Sequence, residues 1–151
     1  MKVVLWILII GLCVTVYFFA KTSQNNKRNA DKFYAMFLLS LQWTVNLQGK
    51  HSISDYLLDK GYRKIAIYGM SDMGKALLNE LKQSELIVEY VIDRNAGEIF
   101  VDIPVLLPEN DFLDTDVIIV TPFLQYDAIE GMLRKKSSCD IISIKDIINT
   151  I

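Results

Sequence analysis

Two rhythms of apolar residues divide the chain. Up to Gln48 the apolar positions come in broad blocks. From Lys64 onward they alternate between short continuous runs and helical-period stretches. The first block, Val3–Ala20 ("VVLWILIIGLCVTVYFFA"), has 18 residues and no charge. At about 1.5 Å per residue it reaches roughly 27 Å, enough to cross a bilayer core. It is expected to be a transmembrane helix. A cleaved signal peptide would also begin with "MK" and an apolar block, but this run is long for one and lacks a small-x-small cleavage site. Lys21–Asn29 ("KTSQNNKRN") is polar and aperiodic, and is expected to be a linker.

Asp31–Gln48 ("DKFYAMFLLSLQWTVNLQ") is again helical, with Asp31 as its expected N-cap. Phe33, Phe37, Leu41 and Val45 share one face, broadened by Met36, Leu39, Trp43 and Leu47. So wide a stripe predicts packing against the domain or a partner, or else rest in the membrane interface. Ser52–Tyr62 predicts a short amphipathic helix closed by Gly61. Then follow "KIAIYG" as a strand, "MGKALLNELKQS" as a helix with Met73, Ala76, Leu77 and Leu81 on one face, "LIVEYVID" as a strand, and a short edge strand within "IPVLLPEN". "VIIVTP" is a strand, "YDAIEGMLRKK" a helix and "DIISI" a last strand, with Ser143 and Asp146 opening a terminal helix.

Strands that are apolar throughout are covered by helices on both faces. Strand–helix alternation then predicts an α/β fold: a Rossmann-like open parallel sheet of about five strands in the order 3-2-1-4-5. The expected organisation is an anchor over residues 1–21, a linker over 22–30, a helical lead-in over 31–62 and a Rossmann-like domain over 63–151.

Composition sharpens this picture at two points. Residues 1–47 carry five Lys/Arg against one acid, and residues 48–151 carry eleven against seventeen. An acidic globular part argues against a nucleic-acid partner. Lys21, Lys27, Arg28 and Lys32 after the apolar run, against Lys2 before it, place the C-terminal side in the cytoplasm of a single-pass membrane protein. Cys13 and Cys139 are the only cysteines, so no disulfide framework is readable.

Candidate chemistry concentrates in Gly69–Ala76 ("GMSDMGKA"), directly after the first strand. As G-x-x-x-x-G-K-[ST] it ends in Ala76, which offers no hydroxyl to Mg²⁺, and "VIIVTP" ends without an acid; NTP hydrolysis is not expected. As G-x-G-x-x-G it has Gly69 for the tight turn and Gly74 for strand–helix packing. Asp93 lies 24 positions beyond Gly69, where a carboxylate meets a ribose hydroxyl. Ser71 stands in place of the middle glycine, and Asp72 competes with a phosphate for the helix N-terminus, which Lys75 offsets or leaves for solvent. Thr121, Pro122 and Tyr126 follow the fourth strand at the same sheet edge. The cofactor-binding candidates are thus Gly69, Ser71, Gly74, Asp93 and Thr121.

His51, the sole histidine, reads as a solvated turn residue. Asp111, Asp114 and Asp116 read as an acidic loop, and neither cysteine has a ligand neighbour, so no metal site is expected. No nucleophile–base–acid set is visible, and no catalytic residue is assigned.

The segments "Q-W…L…G-K…I-S-D-Y-L…G-Y-R-K-I-A-I-Y-G-M", "V-I-D-R-N", "D-V-I-I-V-T-P" and "I-I-S-I-K-D-I-I" resemble small Rossmann-like modules of bacterial surface-polysaccharide biosynthesis. They are also similar to the nucleotide-sugar-binding N-terminal domain of sugar O-acyltransferases. The likeness covers about Phe33 to Ile148. It implies NAD(P) or a UDP-sugar as ligand, held by the positions of Gly69, Ser71, Gly74 and Asp93, and a glycosyltransferase or other envelope-polysaccharide enzyme as partner. The acyltransferases' left-handed helical catalytic domain has no counterpart in this sequence, so the resemblance implies no acyl transfer.

Overall fold

The computed structural model describes the backbone of residues 1–151 and every side chain except those of Lys2, Val3, Leu5, Ile7, Leu8 and Ile9. The chain forms two compact units, residues 1–40 and 41–151. One helix, α1 (Lys2–Gln48), makes up nearly all of the first unit and opens the second.

Residues 21–30, expected to be a linker, are helical, and Asp31 lies inside α1 rather than capping it. The reason is local. No glycine or proline occurs between Gly11 and Gly49, so nothing in the backbone ends the helix. Polarity there marks exposure, not a break. The face chosen from periodicity is also different. Phe33, Phe37, Leu41 and Val45 are exposed, while Leu39, Trp43 and Asn46 are buried. Among the described residues no helix is long and apolar enough to cross a membrane. Of the Val3–Ala20 run, Val3, Leu5, Ile7, Leu8 and Ile9 lie outside those residues.

The second unit is an α/β domain. Its five parallel strands are β1 (Lys64–Tyr68), β2 (Ile87–Ile92), β3 (Val105–Leu106), β4 (Val117–Val120) and β5 (Asp140–Ser143). They lie in the order β3-β2-β1-β4-β5. β1 is central, pairing Ile67 with Val91 on one side and with Ile119 on the other.

Helices α2 (Ile53–Asp59), α3 (Asp72–Leu81), α4 (Tyr126–Leu133) and α5 (Ile144–Thr150) complete the domain. Each start has a chemical cause where the sequence supplies one. Ser52 accepts from Asp55 N to cap α2, and Gly61 at φ +85° ends the following turn. Ser143 caps α5 by accepting from Lys145 N.

Strand alternation sends Ala66, Tyr68, Tyr90, Ile92, Ile118 and Val120 to one face, where Ile129 and Leu133 of α4 cover them. Ile65, Ile67, Val91, Val117 and Ile119 belong to the other face and are fully buried. There α3 touches β1 and β2, and α2 touches α3 and α5. Chain direction across the sheet reverses at β1/β4, so crossovers of one hand place α3 and α4 on opposite faces. On α3 the buried residues are Met73, Gly74, Leu77, Leu78 and Leu81. Ala76, expected on that face, is exposed, and Leu78 takes its place.

Trp43 and Glu80 join the helical lead-in to the sheet-covering layer. Trp43 Nε1 donates to Glu80 Oε2 at 2.8 Å, and the Ile53 and Ser54 amides donate to Glu80 Oε1 at 2.6 and 3.2 Å. Asn46 Nδ2 donates to the Ile148 carbonyl at 2.7 Å, which explains why a polar residue occupies the buried face of α1.

Candidate functional site at the carboxyl edge of the sheet

β1 ends at Tyr68, and the chain turns at Gly69 with φ +92°, a left-handed conformation that disfavours any side chain. A Cβ there would stand 2.8 Å from Thr121 Oγ1 and from Pro122 Cδ. A Cβ on Gly74 would overlap the Gly69 carbonyl oxygen. Both glycines are therefore set by close approach: the first turn of α3 lies directly on the end of β1. This is the packing that the spacing of the two glycines predicts.

Thr121, buried at the end of β4, fixes the same turn from the other side. Its amide donates to Tyr68 O at 3.0 Å, and its hydroxyl lies 2.8 Å from Gly69 O and 3.2 Å from Tyr68 O. Asp93, just beyond β2, uses both carboxylate oxygens. Oδ2 accepts from Met70 N at 2.7 Å and Oδ1 from Asn95 N at 2.8 Å. One carboxylate thus ties the glycine loop to the β2 end. Its unused lone pairs can still accept from a ligand. Ser71 precedes α3 as N-cap in extended conformation, with its side chain exposed and making no cap bond.

Between these loops, on the α4 side, is a cleft of about 280 Å³. Tyr68 and Gly69 contribute from β1, and Asp93, Arg94 and Asn95 from the β2 end. Pro122, Gln125 and Ile129 contribute from the β4–α4 connection. It sits at the β1/β4 switch point, where ligands of open parallel sheets bind. Of the five residues singled out from sequence, Gly69 and Asp93 line this cleft. Gly74 and Thr121 stand behind it as its frame, and Ser71 is outside it.

Five lining residues carry no mark in the sequence reading, among them Ile129, an apolar position of the α4 stretch. Arg94 and Asn95 adjoin Asp93 within "V-I-D-R-N", so the acidic strand end was a pointer to them. Gln125 carries no motif. Tyr68 sat inside an apolar strand run and looked like core. Arg94, Asn95 and Gln125 are exposed. Asp93 and Arg94 offset each other, so the lining carries no net charge. Tyr126, beside the cleft in sequence, instead donates to Ile141 O at 2.7 Å, and burial, then Glu130, holds its phenol above the usual range.

The opposite, amino edge looks different. Asp116 accepts from Arg63 N and Lys64 N at 2.7 and 2.8 Å, and these bonds hold its carboxyl below the usual range. It is thus a strand clamp rather than part of an acidic ion site with Asp111 and Asp114. Among the described residues no group of three His, Cys, Asp or Glu could hold a metal ion.

Compared with models of known protein families, with characterised proteins and with solved structures, the chain gives no match.

Proposed function

We propose that this chain is a membrane-anchored, cytoplasmic Rossmann-like domain that binds a nucleotide or nucleotide-sugar and serves surface-polysaccharide biosynthesis as an accessory protein. The observation that carries the reading is the cleft at the β1/β4 switch point, bounded by a left-handed glycine turn, an acidic β2 end and three exposed polar side chains. The polysaccharide setting comes from the sequence resemblance. The anchor rests on the uncharged Val3–Ala20 run and the basic residues after it, and the exposure of Trp6, Val16, Phe18 and Phe19 supports it.

The test is titration of the full chain, in detergent micelles, with UDP-N-acetylglucosamine and with NAD, followed by thermal unfolding. A probe at 100 times its dissociation constant raises stability by about 2.7 kcal/mol. No shift with either probe counts against a nucleotide site.

A second reading has its own support. Phe33 is 72% and Phe37 57% exposed on α1, an apolar face suited to docking a membrane enzyme such as a glycosyltransferase. In that case the domain is a scaffold, and co-purification with the partner depends on Phe33 and Phe37 but not on the cleft.

A further inference from the structure

Tyr68 is 4% exposed, on the sheet face covered by α4. Its hydroxyl is the one buried side-chain polar atom without a hydrogen-bond partner among the described residues. The other tyrosines packed on the sheet are all satisfied. Tyr90 donates to Leu113 O at 2.9 Å, Tyr126 to Ile141 O at 2.7 Å and Tyr62 to Asp140 Oδ2 at 2.6 Å.

An unmatched buried hydroxyl destabilises a fold, and phenylalanine fills nearly the same space without that cost. Packing alone thus gives no reason for the oxygen. Its place does, because Tyr68 is also a wall of the cleft. We infer that the Tyr68 hydroxyl is the specificity-determining contact of this cleft, hydrogen-bonding a hydroxyl or carbonyl group on an uncharged ring of the ligand.

This rests on the nucleotide or nucleotide-sugar reading above and names the part of the ligand that the cleft recognises. Three observations favour a ring over the phosphates. Asp93 and Arg94 leave the lining without net charge. Ile129 and Pro122 give apolar surface for a ring face. Its volume of about 280 Å³ lies just below the range of roughly 300–1,000 Å³ typical of ligand pockets, too little for a whole dinucleotide. Arg94, exposed at the cleft, remains for the phosphate that leads away from the ring.

The hydroxyl is covered from solvent in this structure, so the ligand reaches it by moving the wall. Arg94, Asn95 and Gln125 are exposed, and among the described residues no hydrogen bond or ion pair holds their side chains. Rotation of these three is the motion with least resistance.

The experiment compares the full chain with its Tyr68→Phe variant in detergent micelles, titrating each with uridine, UDP and UDP-N-acetylglucosamine by calorimetry. The variant unfolds at the same temperature as the parent or a few degrees higher. Its affinity falls about tenfold, the worth of one hydrogen bond. A loss already present with uridine identifies the ring as the nucleoside. A loss confined to UDP-N-acetylglucosamine identifies it as the glycosyl group.

Unchanged affinity for every probe that the parent binds overturns the inference and leaves the nucleotide reading standing. A parent chain that binds none of the three overturns the inference, and one that also gives no shift with NAD removes the nucleotide reading with it. As a second measurement, in a chain labelled with ¹³Cζ-tyrosine, the resonance missing from Tyr68→Phe shifts on saturation with the tightest probe. A fixed resonance also overturns the inference.

Discussion

The two edges of the sheet are made from the same materials and finished in opposite ways. At the amino edge polar groups are matched with one another: Asp116 clamps Arg63 and Lys64, the Tyr62 hydroxyl meets Asp140, and Thr115 Oγ1 bridges Lys64 O and Val117 O. At the carboxyl edge the backbone is held as tightly, by Gly69, Gly74, Thr121 and Asp93, but the side chains above it are left with bonding capacity to spare. The difference shows where the domain spends hydrogen bonds on folding and where it keeps them for another molecule.

The contrast can be broken most severely at Gly74. Gly74→Ala drives a methyl group into the Gly69 carbonyl, and is expected to cost about 3 kcal/mol or more, or to prevent folding, as read by urea denaturation. Thr121→Val comes next. It keeps the shape but leaves the Gly69 carbonyl without its hydroxyl partner, for an expected loss of about 1–3 kcal/mol on the same curves.

The amino edge is probed by pH. Asp116 has a depressed folded-state pKa, so its contribution is present above the ordinary carboxylate value and is lost as pH falls through the folded value. Asp116→Ala should therefore flatten the acid limb of a stability–pH profile. Tyr62 acts in the other direction. Burial, then the bond to Asp140, pushes its phenol up to about 12, so its contribution is present below about 10 and fades as pH climbs from there toward 12. Tyr62→Phe should remove that alkaline slope, and a slope left unchanged would show that the edge is not clamped as described. The smallest expected change in stability is at the cleft itself. Arg94→Glu, on an exposed side chain, should shift stability by less than about 0.5 kcal/mol while weakening UDP binding; a large loss of stability would place Arg94 in the frame instead.

These edges also explain what could be read from the sequence. The strands were legible because "KIAIY" and "VIIV" are apolar throughout, and the glycine turn because two glycines at that spacing after a strand answer one packing need. Tyr68 was not legible. Its position in the run makes it core, and the absence of a partner for its hydroxyl is set by residues that are distant in sequence. On α1 the exposed stripe of Phe33, Phe37, Leu41 and Val45 is as apolar as the buried one, so periodicity could not choose between them. The choice depends on the bonds of Trp43 to Glu80 and of Asn46 to Ile148, 37 and 102 positions away.

Glu80 makes two parts of the fold mechanically inseparable. It sits on the helix that starts at the glycine turn, yet its two oxygens grip the indole of Trp43 and the opening amides of α2. A displacement of α3 at its first turn must either carry Trp43 and Ile53 along or tear those three bonds. Whatever settles beside Gly69 therefore has a built-in lever on the far side of the sheet, and the trailing end of α1 would feel it.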